Sequence, residues 1–457
     1  MKFKGTAALF LVFIILGGYV YFTEFRGKEE RQKQEEAKKK VFAVEDKDIT
    51  EISLIYPDRT ITGVRKGEKD WEITSPPGIE ADSEEWQQLI SNIPKIERED
   101  TVAQNATDLT PFGLKDPPVK VSAKTKDGKA FEILFGGENP KQTFSYAKLP
   151  ATNDVFLTAS NWSKTFTKNI SDLRNKQVLH FEPEDVDSVR VIEGTKELEA
   201  QKSGEDWQLK KPLETKADAN EISSFASAVR FARVNSFPDP PVDSKTAGLD
   251  SPAVKITLHD SKAKADRTLL VGKTSSTDRY YARDTSRDPI FIIDKEIVDK
   301  ARRPLLDWRD KAVTKVDRDK TDKIEIQRGT EMLSLLRTGG DWKMPDNKKV
   351  VWDKATGMLN ALDFEKAKDI IDAPKALSMY GLDKPRIEVV LRQGSNELVR
   401  LAFGSESKMP DGVYLKISNS PVVRVVSKDL FDKFNVKPED VIEPEKPADK
   451  PEDKPKS

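Results

Sequence analysis

A chain of 457 residues, 37% hydrophobic and 34% charged, has room for about two to four ordinary domains, each with a small core. Its 77 Lys and Arg against 78 Asp and Glu leave a formal net charge of −1, so no global attraction draws it to nucleic acid. Cysteine is absent, which excludes disulfides, thiolate metal sites and cysteine nucleophiles, and two histidines, His180 and His259, are too few for a three-histidine zinc site.

Thr6 to Phe22 is an uncharged run of 17 residues behind Lys2 and Lys4. As a helix rising 1.5 Å per residue it would span about 26 Å, near the lower limit for crossing a bilayer. A cleaved signal peptide needs small residues at −3 and −1 of a cleavage site, an arrangement that Gly17-Gly18-Tyr19-Val20-Tyr21-Phe22 lacks. Tyr19, Tyr21, Phe22 and Phe25 suit an interfacial belt instead. Residues 1–23 therefore read as a single-pass transmembrane anchor, and 24–40, without an apolar stripe, as a charged stalk. Lysines and arginines of the stalk, counted alone, would keep the following chain in the cytoplasm. A short basic head on a signal-anchor favours the opposite, since long domains translocate regardless of charge. The expectation is an inner-membrane protein with its bulk extracytoplasmic, in the periplasm.

Beyond the stalk the chain repeats itself. Asp70-Trp71 recurs as Asp206-Trp207 and Asp341-Trp342, with the tryptophans 136 and 135 residues apart. Each pair follows a glycine-bearing turn, and an apolar residue (Ile73, Leu209, Met344) stands two positions on. Gly113-Leu114-Lys115-Asp116-Pro117 recurs as Gly248 to Pro252 and Gly381 to Pro385. Alternating strands follow: Val119, Val121, Ala123; Val254, Ile256, Leu258; Ile387, Val389, Leu391. Strand ends at Phe135-Gly136, Val271-Gly272 and Phe403-Gly404 come next, then Tyr146-Ala147, Tyr281-Ala282 and Tyr414-Leu415. Four ordered landmarks at one period define three copies of a module, 41–177, 178–312 and 313–436. Residues 437–457, almost all Pro, Lys, Glu and Asp, read as a disordered tail.

Within a module the pattern is α+β: a mostly antiparallel sheet with one or two packed helices. Asp82 with Glu85 forms a helix N-cap ahead of Trp86, Leu89, Ile90 and Ile93. Asp218 and Glu221 repeat it ahead of Ile222, Phe225 and Val229; the third copy, with Met358, Leu359 and Leu362, has no such cap. A second helix carries Trp162, Phe166, Ile170 and Leu173, then Ile297, Ala301, Leu305 and Leu306. It runs into junctions at Arg174 and Arg309, whereas the third copy ends near Phe434.

None of these motifs demands chemistry. Asp-Trp reads as a hairpin with its Trp on the core, against the sharper reading of an exposed aromatic platform for glycan. The Gly-Leu-x-x-Pro glycine suits a positive φ, and its proline suits the start of an edge strand. Arg174 and Arg309 suit a carboxylate or a helix carbonyl between modules. Neither histidine stands in a catalytic pattern, and Gly136-Gly137 lacks a nucleotide-binding context.

The chain resembles the bacterial domain-of-unknown-function family 4340. Trp71 to Ile73, Ala81-Asp82 and Gly113 to Pro117 carry the likeness, repeated at Trp207 to Leu209, Ala217-Asp218 and Gly248 to Pro252. The third copy keeps Trp342 and Gly381 to Pro385 but lacks Ala-Asp. The resemblance implies a membrane-anchored companion of an ABC-type exporter related to gliding-motility transport, with no catalytic residue to carry over. The expected function is a non-enzymatic binding or scaffold protein with an integral-membrane or envelope protein partner. It needs no cofactor, metal or nucleic acid, and names no catalytic, cofactor-binding or metal-ligating residue. An envelope polysaccharide-binding protein is the alternative, and a hydrolase a more distant one.

Overall fold

The structure, a computed structural model, describes residues 39–444 together with Ile14 and Tyr21; the rest of the expected anchor and most of the expected stalk lie outside the described residues, as does the chain from 445. Among the described residues no helix is long and apolar enough to cross a membrane. Three eight-stranded sheets, antiparallel throughout, account for the three modules.

In the first module β1 (Ile49–Ile55), β2 (Thr60–Arg65) and β3 (Trp71–Ser75) form a meander. Helix α1 (Ser83–Ile90) and the short β4 (Thr101–Ala103) lead to a second meander of β5 (Val119–Thr125), β6 (Ala130–Glu138), β7 (Phe144–Lys148) and β8 (Val155–Ala159). The sheet order is β3-β2-β1-β5-β6-β7-β8-β4. Alternation along β1 and β5 turns Ile52, Leu54, Val121 and Ala123 to one face, where Trp86, Leu89 and Ile90 of α1 close the core.

The second module repeats the meanders as β9 (Val186–Glu193), β10 (Lys196–Ser203), β11 (Asp206–Lys211), then β13 (Val254–Asp260), β14 (Ala265–Ser276), β15 (Arg279–Asp284) and β16 (Phe291–Asp294), around α2 (Ala219–Phe231). Its eighth strand, β12 (Thr215–Lys216), lies on the opposite edge, beside β11. The third has β17 (Lys323–Arg328), β18 (Glu331–Thr338), β19 (Asp341–Lys343), α3 (Trp352–Phe364), β20 (Asp369–Ile371), β21 (Ile387–Gln393), β22 (Asn396–Lys408), β23 (Asp411–Ile417) and β24 (Val423–Val426), in the order of the first. The first and third modules each enclose their own hydrophobic cluster.

By contact the chain divides into two compact units: residues 1–177 with 233–241, and 178–232 with 242–457. The first stretch of the first unit ends at residue 177. The segment after α2 belongs to the first unit, and modules two and three share the second.

Three sequence expectations are corrected. The strand after Gly-Leu-x-x-Pro is central, lying between β1 and β6; Pro117 and Pro118 precede its first residue, so no ladder hydrogen bond is lost. The third module does not stop at 436. Helix Pro438–Val441 follows Lys428–Phe434, and Val441 is fully buried in that core, so residues 437–441 belong to the module and not to the tail. In each module the expected second helix is two short ones: Ser160–Phe166 and Ile170–Leu173, then Glu296–Ala301 and Leu305–Trp308. Pro304, lacking an N–H, breaks the second pair; in the first, the Lys168 N–H donates to Tyr56 Oη (2.8 Å) instead of continuing a helix.

Candidate functional site

The repeated tryptophans are core residues. Trp71, Trp207 and Trp342 are 6%, 6% and 3% exposed, and Trp71 stacks on Trp86 with ring centroids 6.0 Å apart. They offer no platform for a glycan.

Gly113, Gly248 and Gly381 adopt φ of 63°, 72° and 66°, as their motif predicts. Each turn packs on the second repeated glycine. A Cβ on Gly136, Gly272 or Gly404 would lie 2.0–2.2 Å from a carbonyl oxygen of the turn (Phe112, Ala247, Tyr380). The strand register slips just there, between Phe135 and Glu138, Val271 and Thr274, Phe403 and Glu406. The two glycine landmarks are therefore one contact that seats a turn on a bulge.

The arginine junctions are built alike. In the first unit Asp82 N–H donates to Leu173 O (2.9 Å), Asn175 N–H to Glu80 O (2.8 Å) and Val234 N–H to Lys176 O (2.7 Å). In the second, Asp218 N–H donates to Trp308 O (3.0 Å), Asp310 N–H to Lys216 O (2.9 Å) and Ala367 N–H to Lys311 O (2.7 Å). Asp82 and Asp218 cap their helices, accepting from Glu85 N–H, and from Asn220 and Glu221 N–H. Each also attracts a cation from the segment after the next helix: Arg233 at 3.3 Å, Lys366 at 3.8 Å. Arg174 lies over the Phe237 ring (3.2 Å to its centroid), and buried Arg309 grips Asp372 through two bonds of 2.9 and 2.7 Å. Arg309 thus finds the carboxylate its position suggests. Counterparts outside the two junctions lack these charges: Glu97 stands where Arg233 and Lys366 stand, Val351 where the capping aspartates stand, and Ile442 where the arginines stand.

The repeat also exposes a site that sequence reasoning missed, between the first hairpin of a module and its two short terminal helices. In module one it is plugged. Tyr56, 8% exposed, donates to Phe166 O (2.8 Å), accepts from Lys168 N–H and carries Arg59 over its ring at 4.4 Å. Burial pushes its phenol pKa up. The hairpin registers place Glu193 and Arg328 at the Tyr56 position, and the terminal helices place Ala301 and Phe434 at the Phe166 position. In module two, where both aromatics are gone, a cavity of about 540 Å³ opens over Val191, Ala301, Leu305 and Trp308. Its rim carries Glu193, Lys196, Arg302 and Arg303. Arg302 pairs with Glu193 (2.8 Å); Arg303 pairs with Glu221 (2.6 Å) and lies 5.2 Å over the Trp308 ring. The module-three counterpart is about 460 Å³, its Arg328 paired with Glu331 (2.6 Å). A self-comparison matching Tyr56 to Glu193 and Phe166 to Ala301 holds the signal, but only once the hairpin is known to face the helices.

His259 pairs across the sheet with Asp266 (2.8 Å), which holds its pKa above the usual histidine range, and His180 is exposed on the chain entering β9. Among the described residues no three histidine, aspartate or glutamate side chains converge on a metal position.

Three stretches, 71–252, 207–375 and 352–445, match the family described as a domain of unknown function, DUF4340. The chain belongs to this family. The first two DUF4340 matches start at a repeated tryptophan and run into the following module, so the matched stretch includes an arginine junction. No curated protein and no solved structure matches the chain.

Proposed function

We propose that this DUF4340 chain is a non-enzymatic scaffold, tethered to the inner membrane by its amino-terminal segment. Its modules stand outside the cytoplasm beside an ABC-type transport or cell-envelope complex. The observation that carries the reading is the junction. Modules two and three are joined by backbone bonds and by a buried arginine with a bidentate aspartate, a connection that fixes spacing where a flexible linker would not. A scaffold holds its partners at set distances, and its own surfaces need no reacting groups. The partly exposed ion pairs on all three sheets suit solubility and recognition more than stability.

Copurification from detergent-solubilised membranes tests this directly. A tagged full-length chain should bring down an integral-membrane transport or envelope component in stoichiometric amount. Recovery of the chain alone, after cross-linking in intact cells, would contradict it. Protease added to spheroplasts should digest the modules; full resistance would reverse the assigned side of the membrane.

A further inference from the structure

We propose that the cavity of module two binds an organic carboxylate with an apolar body. Its volume of about 540 Å³ lies within the roughly 300–1,000 Å³ range of small-molecule sites. Its floor is apolar, made by Leu198 and Leu305 over the buried Trp308, whose indole is fixed edge-on against Phe225 (ring centroids 5.0 Å apart). Module one shows that the space is not a requirement of the fold, since it fills the same position with Tyr56 and Phe166.

Charge at the mouth selects the occupant. Arg302 is neutralised by Glu193 and Arg303 by Glu221, while Glu197 is held by Lys211 (2.9 Å) and Arg190. Lys196 alone among these cations makes no ion pair within the described residues, and it stands exposed at the turn between β9 and β10. A ligand that places a carboxylate at Lys196 and an apolar group on the half-buried Leu198 and Leu305 satisfies both halves. A neutral ligand leaves the ammonium unused, and a cation is repelled. In module three every rim cation with a defined role is paired, Arg328 with Glu331 and Lys437 with Glu439. Selectivity for module two follows.

One chemistry has two sources, a free acid or the terminal carboxylate of a polypeptide with an apolar last residue. The probes are 4-phenylbutyrate, its amide, and a pentapeptide ending in phenylalanine as free acid and as amide, titrated calorimetrically into the full-length chain. The acid, the free peptide or both should bind, with each amide at least about tenfold weaker, and whichever binds identifies the source. Glu193→Tyr combined with Ala301→Phe rebuilds the module-one plug and should abolish binding, with circular dichroism reporting that the fold is kept. Should that double variant misfold, Lys196→Glu decides: the cavity stays, and acid binding should weaken about tenfold while the amide is unaffected. Equal binding of acid and amide, unchanged acid binding in both variants, or no binding of either acid at millimolar concentration would overturn the proposal.

Discussion

Tyr56 shows how one side chain turns a repeat into a variant. Its hydroxyl has two hydrogen bonds, a buried one to Phe166 O and a part-buried one from Lys168 N–H, both 2.8 Å. Tyr56→Phe leaves that carbonyl and that N–H unpaired, so urea denaturation should find module one weaker by about 1–3 kcal/mol. The same burial raises the phenol pKa above its ordinary 10.0. A raised pKa in the folded state stabilises in full below the unfolded value and loses that contribution as pH climbs through the folded one. Stability of the wild-type chain should therefore fall above about pH 10 more steeply than that of Tyr56→Phe. At this scale the sequence was partly legible. The positive φ of Gly113, Gly248 and Gly381 follows from residue type, but their contact with Gly136, Gly272 and Gly404 joins separate elements and leaves no local mark. Tyr56 carries no local mark either, because what it plugs is made by a helix 110 residues on.

Among the elements, the junction strand behaves as a clasp. Arg309 is buried, its side chain 6% exposed, whereas Asp372 is 41% exposed. The two partners are therefore unequal. Asp372→Ala strands a buried guanidinium next to Arg424, itself half-buried with its pKa pushed down by burial and by Arg309. Arg309→Ala leaves a carboxylate that water can reach. Thermal or urea unfolding of the second unit should register about 3 kcal/mol for Asp372→Ala and about 1 kcal/mol for Arg309→Ala. Equal losses would mean that the bidentate pair is not what holds the clasp. Arg309→Lys should not restore it, since an ammonium cannot make both bonds. Helix α2 was readable from its aspartate cap and apolar spacing, and α3 from its spacing and missing cap: Val351, at its start, offers no side-chain acceptor. The division of each terminal helix pair was harder to see. Pro304 announces it in module two, but in module one it depends on the capture of Lys168 N–H by Tyr56. Val441 was hidden by composition, standing beside Ile442 in a run of Pro, Lys, Glu and Asp, and only its seat in the third core removes it from the tail.

For the molecule as a whole, three copies of one sheet were evident from spacing because each must bury its own tryptophan, its own β1- and β5-type strands and its own helix. The grouping of those copies was not evident, since it rests on residues 233–241 joining the first unit and on the Arg309–Asp372 clasp within the second. A chain without cysteine permits a direct test, because two introduced thiols are the only ones to label. Spin labels at Ala263→Cys and Asn396→Cys, exposed hairpin positions in modules two and three, report their separation by pulsed dipolar spectroscopy. A single narrow distance distribution, broadened by Asp372→Ala, is the predicted result; a broad distribution in the otherwise unaltered chain would show modules swinging on a linker and contradict the scaffold account.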